Sequence, residues 1–511
     1  MRSVRRSIRG ALCLGLAAVL PCLSIALSTT PAHADSMPPI KHVWWVLLEN
    51  QSYAATFTAT PAPDPYLRSL VGKGALIPNY YAIAHESLPN YLALIGGQSP
   101  TPQTQQDCNP YSDVTPGSSA ANGQVTGSGC VYPASRLTLA DQLMQRGLTW
   151  KGYMEDLNLN GDTSRDPTMT CAPPPPGGRQ DVTQNAATDD QYAARHDPFM
   201  YYHSIIDAPI CKTNVVQLQS SSNGLAHDLG SAATTPNFSF VTPNLCNDGH
   251  DPSTTSTAKT CAGPDPCGNK PGVGGYTSID CWLAHYVPMI TNSDAYRADG
   301  MLVILFDESS NSDAASCCQE MAGPNTAAPG ISGNGGGQVG AVVLSPFVKP
   351  GTVSQSPYNH YSLLRTVEDI FHTGGGDDGA GHLGFAATFG TYSPGEFGPD
   401  VFTAAPATDV IAPTFNPVAT DSSLPEVATG GGGGIASAPI SPAPGSSATP
   451  GVVDSTLPAT SASPVPAWNA GRLAATVPDP WWKGPAGLLL GVMVLFGAGL
   501  ALAMARSGRG G

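Results

Sequence analysis

The sequence predicts an α/β fold in which a mostly parallel central sheet is covered by helices on both faces. Short apolar runs of strand length alternate with longer stretches of helical periodicity, as in parallel sheets whose strands are joined by helices. The apolar runs are nearly continuous, which is typical of strands buried on both faces. The strand-like runs are residues 43–48, 238–241, 301–306 and 341–344, and the helical stretches include 137–148 and 362–371.

The amino-terminal segment is predicted to be an export signal rather than part of the fold. Four arginines lie among the first nine residues, an apolar run extends from Ala11 to Leu27, and residues 32–34 (Ala-His-Ala) have the pattern of a cleavage site. Residues 1–34 are therefore assigned to a signal peptide. The pair of adjacent arginines leaves both general secretion and twin-arginine export open.

The charge balance excludes one class of partner. The formal net charge is −15, and loss of the signal, with four arginines and no acidic residue, lowers it to −19. Nucleic-acid-binding proteins usually carry a basic surface, so no nucleic-acid partner is expected. An acidic chain also needs local positive charge wherever it binds phosphate, and a bound cation would supply it.

Cysteine usage agrees with export. Ten of the 12 cysteines follow the signal, and an even number in an exported chain indicates disulfides. The alternative is zinc, but the chain has no CxxC pair. Cys261 and Cys267 are close enough to form a short loop. Cys317 and Cys318 are expected to pair with other residues, because a bridge between adjacent cysteines strains the backbone. The rest of the pairing is open.

The carboxy-terminal part is predicted to hold the globular domain, residues 38–402, at a membrane. Residues 403–480 are rich in Ala, Pro, Ser, Thr and Gly and are interpreted as a disordered stalk. Residues 484–505 carry no charge over 22 positions, enough for a transmembrane helix. Arginines follow it, so residues 506–511 are expected to be a cytoplasmic tail and the domain to be extracellular.

Polar residues follow the predicted strands at the point where each strand ends. Glu49-Asn50 follows the first strand, Asp307-Glu308 follows the third, and a polar run at 242–251 follows the second. Open α/β sheets bind ligands outside the carboxyl ends of their strands. Oxygen ligands from two strand ends suit a divalent cation. The alternative for any one of them is a helix cap.

A second group of polar residues opens an apolar helix in the run HESLPNYLALIGG at 85–97. Ser87 falls at the first turn, beside free backbone N–H groups and the positive helix end, which is a natural place for phosphate. Asn90 can donate to a phosphoryl oxygen. On the pattern alone, the simpler interpretation of Ser87 as a helix cap is favoured.

Seven segments taken together resemble a known enzyme family. They are WWVLLENQSY (44–53), HESLPNYLALIGG (85–97), WKGYMED (150–156), HDPFMYYHSI (196–205), NFSFVTPNLCNDGHD (237–251), LVILFDES (302–309) and NHYSLLRTVEDIF (359–371). They are similar to segments of the bacterial phosphoesterase family of acid phosphatases and phospholipases C, in the alkaline phosphatase superfamily. The likeness covers most of residues 41–390 and is greatest to secreted acid phosphatases that include phosphatidylinositol-phosphate phosphatases. It implies a three-layer α/β/α sandwich of the alkaline phosphatase type.

The resemblance also implies roles for individual residues. Ser87 looks like the nucleophile that forms a phosphoseryl intermediate. The implied metal ligands are Glu49, Asn50, Asp307 and Glu308, with Ser87 completing the set. The residues implied to contact phosphate, protonate the leaving group or flank the nucleophile are His250, His360, His85 and Asn90. His196 lies in a matching segment and is a possible helper.

One departure from the family pattern affects the cofactor. Two-zinc relatives carry Asp-His where this chain has Asp307-Glu308. A carboxylate in place of an imidazole favours a harder ion or a single-metal site. The sequence therefore predicts a divalent metal ion and leaves its identity and number open.

These observations predict an exported, metal-assisted phosphoric ester hydrolase, similar to acid phosphatases, that cleaves phosphomonoesters with a serine nucleophile. A phospholipid or phosphoinositide is a candidate substrate. Phospholipase C-type cleavage of phosphodiesters is the second interpretation, and a non-catalytic stalked adhesin is the alternative from another class. Ser87 beside candidate ligands favours an enzyme, because a binding module needs no nucleophile next to a metal site. The leaving group and the oligomeric state stay open.

Overall fold

A computed structural model describes residues 37–157, 170–174, 176–177, 191–251, 274–318, 320, 322–331, 333–388, 390 and 393–402. The predicted signal, stalk, membrane-spanning helix and tail lie outside these residues, as do Cys261 and Cys267. Within them, no helix has the length and apolar character needed to cross a membrane.

The described residues form alternating strands and helices. The strands are β1 (His42–Leu48), β2 (Ala75–Ile77), β3 (Tyr80–Tyr81), β4 (Thr115–Ser119), β5 (Val125–Ser128), β6 (Trp150–Met154), β7 (Val215–Gln217), β8 (Phe238–Thr242), β9 (Gly300–Phe306), β10 (Ala341–Leu344), β11 (Thr352–Val353) and β12 (Tyr358–Asn359). The helices are α1 (Pro65–Val71), α2 (Ser87–Gly96), α3 (Leu139–Gln145), α4 (His203–Ile206), α5 (Cys211–Asn214), α6 (Leu225–Asp228), α7 (Gly275–Thr291), α8 (Asp294–Asp299) and α9 (His360–Ile370).

An eight-stranded sheet in the order β11-β2-β10-β9-β1-β8-β6-β7 forms the centre of the described domain. The strands from β9 to β7 are mutually parallel, which confirms the predicted mostly parallel α/β fold. β10 runs antiparallel to both of its neighbours, so the sheet is mixed at that side. All four predicted strands are present in this sheet.

Helices cover both faces of the sheet. Successive side chains of a strand point to opposite faces, and β1 shows this with two adjacent tryptophans that are both fully buried. Trp44 packs against Tyr296 of α8, with ring centroids 6.2 Å apart. Trp45 lies on the other face, 6.2 Å from Phe240, whose ring is in turn 6.0 Å from Tyr91 of α2. The large aromatic side chains thus connect the central strands to helices on each side.

The register of the central strands brings the polar strand ends together. β1 and β9 pair along their whole length, from His42 with Gly300 to Leu48 with Phe306. On its other side β1 pairs with β8, where Val46 lies opposite Val241. Because the three strands are parallel and end at nearly the same level, the residues that follow them meet at one edge of the sheet.

The eight cysteines of the described residues are all in disulfides. Two of the bonds are Cys108–Cys130 and Cys171–Cys211. A third joins Cys317 to Cys318, so the expectation that these two pair with other residues is wrong. The turn that presents both sulfur atoms to each other is held by Glu320, whose Oε2 accepts a hydrogen bond from Cys318 N (3.1 Å). This local contact is not visible in the cysteine spacing.

A buried charge cluster at the end of α9 makes stability depend on pH. His382 Nδ1 lies 2.6 Å from Asp378 Oδ2, and its Nε2 lies 2.9 Å from Asp369 Oδ1. Burial lowers the pKa of His382, but hydrogen bonds to both carboxylates outweigh it and raise the pKa from 6.5 to about 9. The charged imidazole therefore stabilises the fold fully below the unfolded-state pKa, and this contribution is lost as the pH rises through about 9.

We expect His382→Asn to lower the free energy of unfolding at about pH 6 by up to about 3 kcal/mol, and by much less at about pH 9.5. Urea unfolding at both pH values measures the difference. His372→Asn is the control, since His372 is an exposed residue just beyond the same helix. An equal loss of stability at the two pH values would contradict the assignment.

Candidate active site

The candidate active site lies where β1, β8 and β9 end. Glu49 N donates to the backbone oxygen of Asp248 (2.9 Å), and Asp307 N donates to the backbone oxygen of Leu48 (2.8 Å). Asn50 N donates to Asp307 Oδ1 (3.2 Å). These bonds tie three loops into one surface and bring the predicted ligands Glu49, Asn50 and Asp307 together.

Glu49 is the centre of this group. Its side chain is fully buried, and Oε1 accepts a hydrogen bond from Tyr91 OH (2.6 Å). Oε2 accepts from Ser87 Oγ (2.9 Å) and from Asn50 Nδ2 (3.3 Å). The predicted nucleophile therefore contacts a predicted metal ligand directly.

Ser87 begins α2, and its hydroxyl bonds to Glu49 rather than capping the helix. The N-cap residue is Glu86, which makes no side-chain capping bond. Glu86 has a φ of 65°, a conformation that costs a non-glycine residue on the order of 1–3 kcal/mol. Leu88 N, one of the free N–H groups of the first turn, donates to Asp107 Oδ1 (3.0 Å). The backbone conformation of Glu86 directs the Ser87 hydroxyl toward the ends of the strands.

His196 lies between two carboxylates of the site. Its Nε2 is 3.2 Å from Glu49 Oε1, and its Nδ1 is 3.2 Å from Asp248 Oδ2. The ring stacks on Tyr91, with centroids 5.2 Å apart and planes 1° from parallel. Within the described part of the chain, neither ring nitrogen has a partner at hydrogen-bonding angles, and the same holds for Asp248 Oδ2 and Asp307 Oδ2. Ligand atoms of Glu49, His196 and Asp248 all lie within 4.8 Å of one another.

Burial makes the acidic side chains of this cluster difficult to ionise without a positive partner. It raises the pKa of Glu49 well above its ordinary value, and the charges of Asp307 and Asp248 raise it further. Burial also raises the pKa of Asp248, and that of Asp307 to about 6. It lowers the pKa of His196, which favours the neutral imidazole that binds metals. Buried carboxylates with unpartnered oxygens beside a neutral imidazole fit a divalent cation.

Glu308, a predicted metal ligand, is paired with His85 in this structure. Its Oε2 contacts His85 Nδ1, and His85 Nε2 lies 2.8 Å from the backbone oxygen of Asp313. Burial raises the pKa of Glu308, and the charge of Asp307 raises it further. Glu308 and His85 therefore form a separate buried pair next to the Glu49 cluster.

His360 and Asn90 are placed so that their side chains hold backbone groups of the site. His360 begins α9, and its Nε2 lies 2.6 Å from the backbone oxygen of Asp307. A carbonyl only accepts, so Nε2 carries the proton and Nδ1 accepts from Tyr80 OH (3.1 Å). Burial lowers the pKa of His360 to about 4. Asn90 bonds through both amide atoms to the backbone of residues 83–86. Their predicted contacts with phosphate stay predictions.

His250 links the loop after β8 to a buried arginine. Its backbone N donates to Asp248 Oδ1 (2.8 Å), and its Nδ1 lies 2.8 Å from Asp251 Oδ1. Its Nε2 is 3.0 Å from Arg195 Nη2. The side chain predicted to act on phosphate or leaving group thus lies beside a permanent positive charge.

Asp248, His196 and Arg195 carry much of this geometry. Of the three, only His196 has a predicted role, as a possible helper. Asp248 belongs to the NDGHD run, where only His250 is predicted to act. His196 and Arg195 lie in a short 3-10 helix, Ala194–His196, that packs against α2. The resemblance of the segment at 196–205 to the family is the available signal for His196. No sequence signal identifies Arg195.

Glu155, which follows β6 in the WKGYMED segment, supports the loop after β8. Its Oε2 accepts hydrogen bonds from Asn244 N (2.9 Å), Asn247 Nδ2 (3.1 Å) and Trp282 Nε1 (3.1 Å). One buried carboxylate therefore holds the loop that carries Asp248. This residue positions the site from a neighbouring strand.

Curated relatives of the chain include named phosphatases. It is 23% identical over 360 residues to an acid phosphatase of Aspergillus fumigatus, covering 68% of this chain and 60% of that protein. It is 23% identical over 338 residues to a phosphatidylinositol-3-phosphatase of Mycobacterium tuberculosis, covering 66% of this chain and 79% of that protein. The alignment thus spans less than two thirds of the fungal enzyme.

The solved structures that the chain matches include a protein of the alkaline phosphatase superfamily from Vibrio parahaemolyticus. It has a TM-score of 0.37 and 12% identity, covering 65% of this chain and 66% of that one. A phosphonate monoester hydrolase from Silicibacter pomeroyi has a TM-score of 0.32 and 12% identity, covering 68% and 77%. The model of the phosphoesterase family matches residues 55–262 and 275–374, more than half of the chain, and the protein therefore belongs to the phosphoesterase family.

Proposed function

We propose that the protein hydrolyses phosphomonoesters, with Ser87 as nucleophile and a divalent cation as cofactor. The observation that carries the proposal is the 2.9 Å hydrogen bond from Ser87 Oγ to Glu49, within a buried cluster that also contains Asp307, Asp248 and His196. A serine hydroxyl beside such a cluster is the arrangement used for covalent phosphoryl transfer.

The family and its named relatives support a phosphatase rather than an adhesin or a phosphodiesterase. The two relatives described above are named as an acid phosphatase and a phosphatidylinositol-3-phosphatase. The name of the mycobacterial protein supports a phosphoinositide as one substrate. Burial raises the pKa values of the carboxylates in this cluster, and their ionisation therefore destabilises the fold. An adhesin would not require such a cluster.

The residues that would hold the proposed cation are Glu49, Asp307, Ser87, Asp248 and His196. Asp307, Asp248 and His196 offer the unpartnered buried oxygens and nitrogens described above. When bound, a divalent cation lowers the pKa of a serine hydroxyl and neutralises phosphate charge. Whether one or two ions bind is decided by metal analysis.

Hydrogen bonds from neighbouring side chains orient the groups of the proposed site. Glu49 Oε2 fixes Ser87 Oγ, and Tyr91 OH fixes Glu49 from the opposite side. His360 holds the backbone oxygen of Asp307, and Asn90 holds the turn before Ser87. Burial of the cluster limits the access of water to these side chains, which strengthens the electrostatic interactions among them.

Hydrolysis of p-nitrophenyl phosphate and of bis-p-nitrophenyl phosphate, measured with and without chelator, tests the proposal. We expect the monoester to be the better substrate, activity to be lost with chelator and restored by a divalent cation. Magnesium, manganese and zinc compared at equal concentration identify the preferred ion. Preference for the diester, or full activity in a metal-free sample, would refute the proposal in its present form.

Export of the domain and its attachment to the membrane stay predictions from the sequence, because residues 1–36 and 403–511 lie outside the described part of the chain.

A further inference from the structure

Glu320 is a buried carboxylate that joins two segments of the chain. It follows the disulfide between Cys317 and Cys318 and is almost fully buried. Its Oε2 accepts a hydrogen bond from Cys318 N (3.1 Å), and its Oε1 accepts one from Asn359 Nδ2 (3.1 Å). Burial raises the pKa of Glu320, and the hydrogen bonds from Asn359 and Cys318 oppose this rise. The carboxylate is therefore held between the disulfide turn and the residue that precedes His360.

Asn359 carries this contact to the start of α9. It is the N-cap residue of the helix, where its Oδ1 accepts a hydrogen bond from Ser362 N (3.1 Å). The same side chain thus caps the helix through its oxygen and binds Glu320 through its nitrogen. Because the two atoms belong to one planar amide, the contact with Glu320 fixes the direction of the capping oxygen.

His360, the first residue of α9, holds the backbone of the site. Its Nε2 lies 2.6 Å from the backbone oxygen of Asp307, and its Nδ1 lies 3.1 Å from Tyr80 OH. A shift of the helix start would therefore move a hydrogen bond that ends on a residue of the proposed cation site. Replacing residues that orient metal ligands through hydrogen bonds typically changes metal affinity or activity by about 10–100-fold.

We propose that Glu320 is a positioning residue of the site, which fixes Asn359 and thereby the place of His360 against the backbone of Asp307. The inference rests on the proposed function and deepens it. The disulfide turn contributes by holding Glu320 from its other side. Since Glu320 acts through other residues, its replacement should weaken cation binding and lower kcat while leaving KM for p-nitrophenyl phosphate nearly unchanged at saturating cation.

Exchanging the two partner groups tests the link between Glu320 and Asn359. Glu320→Gln leaves one oxygen for two donors, and Asn359→Asp sets two carboxylates against each other while keeping an oxygen for the helix cap. Each folded variant should bind the cation preferred by wild type about tenfold more weakly. Calorimetric titration with magnesium, manganese and zinc, without substrate, measures this. In the double variant the new amide donates to the new carboxylate and still accepts from Cys318 N, so binding should largely recover.

Glu396→Gln is the matched control. Glu396 also contacts α9, but further along the helix, where it accepts a hydrogen bond from Arg365 Nε (2.9 Å). This variant should bind the cation as wild type does. His360→Phe removes the donor to the site, and in that background Glu320→Gln should weaken binding no further.

Unchanged cation binding in Glu320→Gln would overturn the inference, as would a loss that the exchange fails to restore or an equal loss in Glu396→Gln. A wild-type protein that binds a cation but cleaves neither ester would instead overturn the proposed function, and the binding measurements would still decide the role of Glu320. A wild-type protein that binds none of the three cations would overturn both.

Discussion

Replacing Ser87 with alanine is expected to lower kcat for p-nitrophenyl phosphate by about three orders of magnitude or more, because the covalent path then has no substitute oxygen. The structure supports this role because the Ser87 hydroxyl donates to Glu49 of the site instead of making a capping bond to α2. Vanadate, which resembles the five-coordinate phosphoryl group, should inhibit the wild-type protein.

The fold should survive this substitution. The variant loses one hydrogen bond to Glu49 Oε2, which still accepts from Asn50 Nδ2. Such a loss costs about 1–3 kcal/mol. Ser278→Ala, at a buried serine of α7, is the matched control and should keep normal turnover. Near-normal turnover of a folded Ser87→Ala protein would mean that water attacks phosphorus directly.

Asp307→Asn is expected to abolish most activity and to reduce bound metal, because it removes ligand charge from the cluster. The amide oxygen can still accept from Asn50 N, so the backbone at the end of β9 should keep its position. Metal content by mass spectrometry and the concentration of cation that gives half-maximal activity measure the effect.

The same substitution should stabilise the metal-free protein. Burial raises the pKa of Asp307 from 3.8 to about 6, so its anion destabilises the fold progressively above pH 3.8 and fully above about 6. Removing that charge should raise the free energy of unfolding of metal-free protein near pH 7.5 by about 1–3 kcal/mol. Glu308→Gln provides the comparison, because Glu308 is paired with His85 and lies outside the Glu49 cluster. Unchanged metal content in Asp307→Asn would remove Asp307 from the ligand set.

The fold and the centre of the site follow from local sequence features. The apolar runs that become β1 and β9 end at Leu48 and Phe306, and their full-length parallel register places Glu49 beside Asp307. Parallel strands of equal length always bring their carboxyl ends together, so this part of the site could be predicted without coordinates. Ser87 lies close to Glu49 because α2 begins at the same edge of the sheet.

The other parts of the site depend on interactions between distant segments. His196 and Arg195 reach Glu49 and Asp107 because a 3-10 helix packs on α2, across about a hundred residues of chain. The side chain of Glu308 points toward His85, and the sequence pattern does not indicate this direction. β10 lies antiparallel although its apolar run is indistinguishable from a parallel strand.

Attachment of a phosphoryl group to Ser87 during turnover would identify this residue as the nucleophile. Wild-type protein would be mixed with p-nitrophenyl phosphate, quenched in acid at short times and digested, and the peptide that contains residues 85–97 examined by mass spectrometry. We predict phosphoserine at Ser87 in the wild-type protein, reduced in metal-free samples and absent from Ser87→Ala. An active wild-type protein whose Ser87 stays unmodified at every quench time, with a Ser87→Ala variant that turns over normally, would contradict the account.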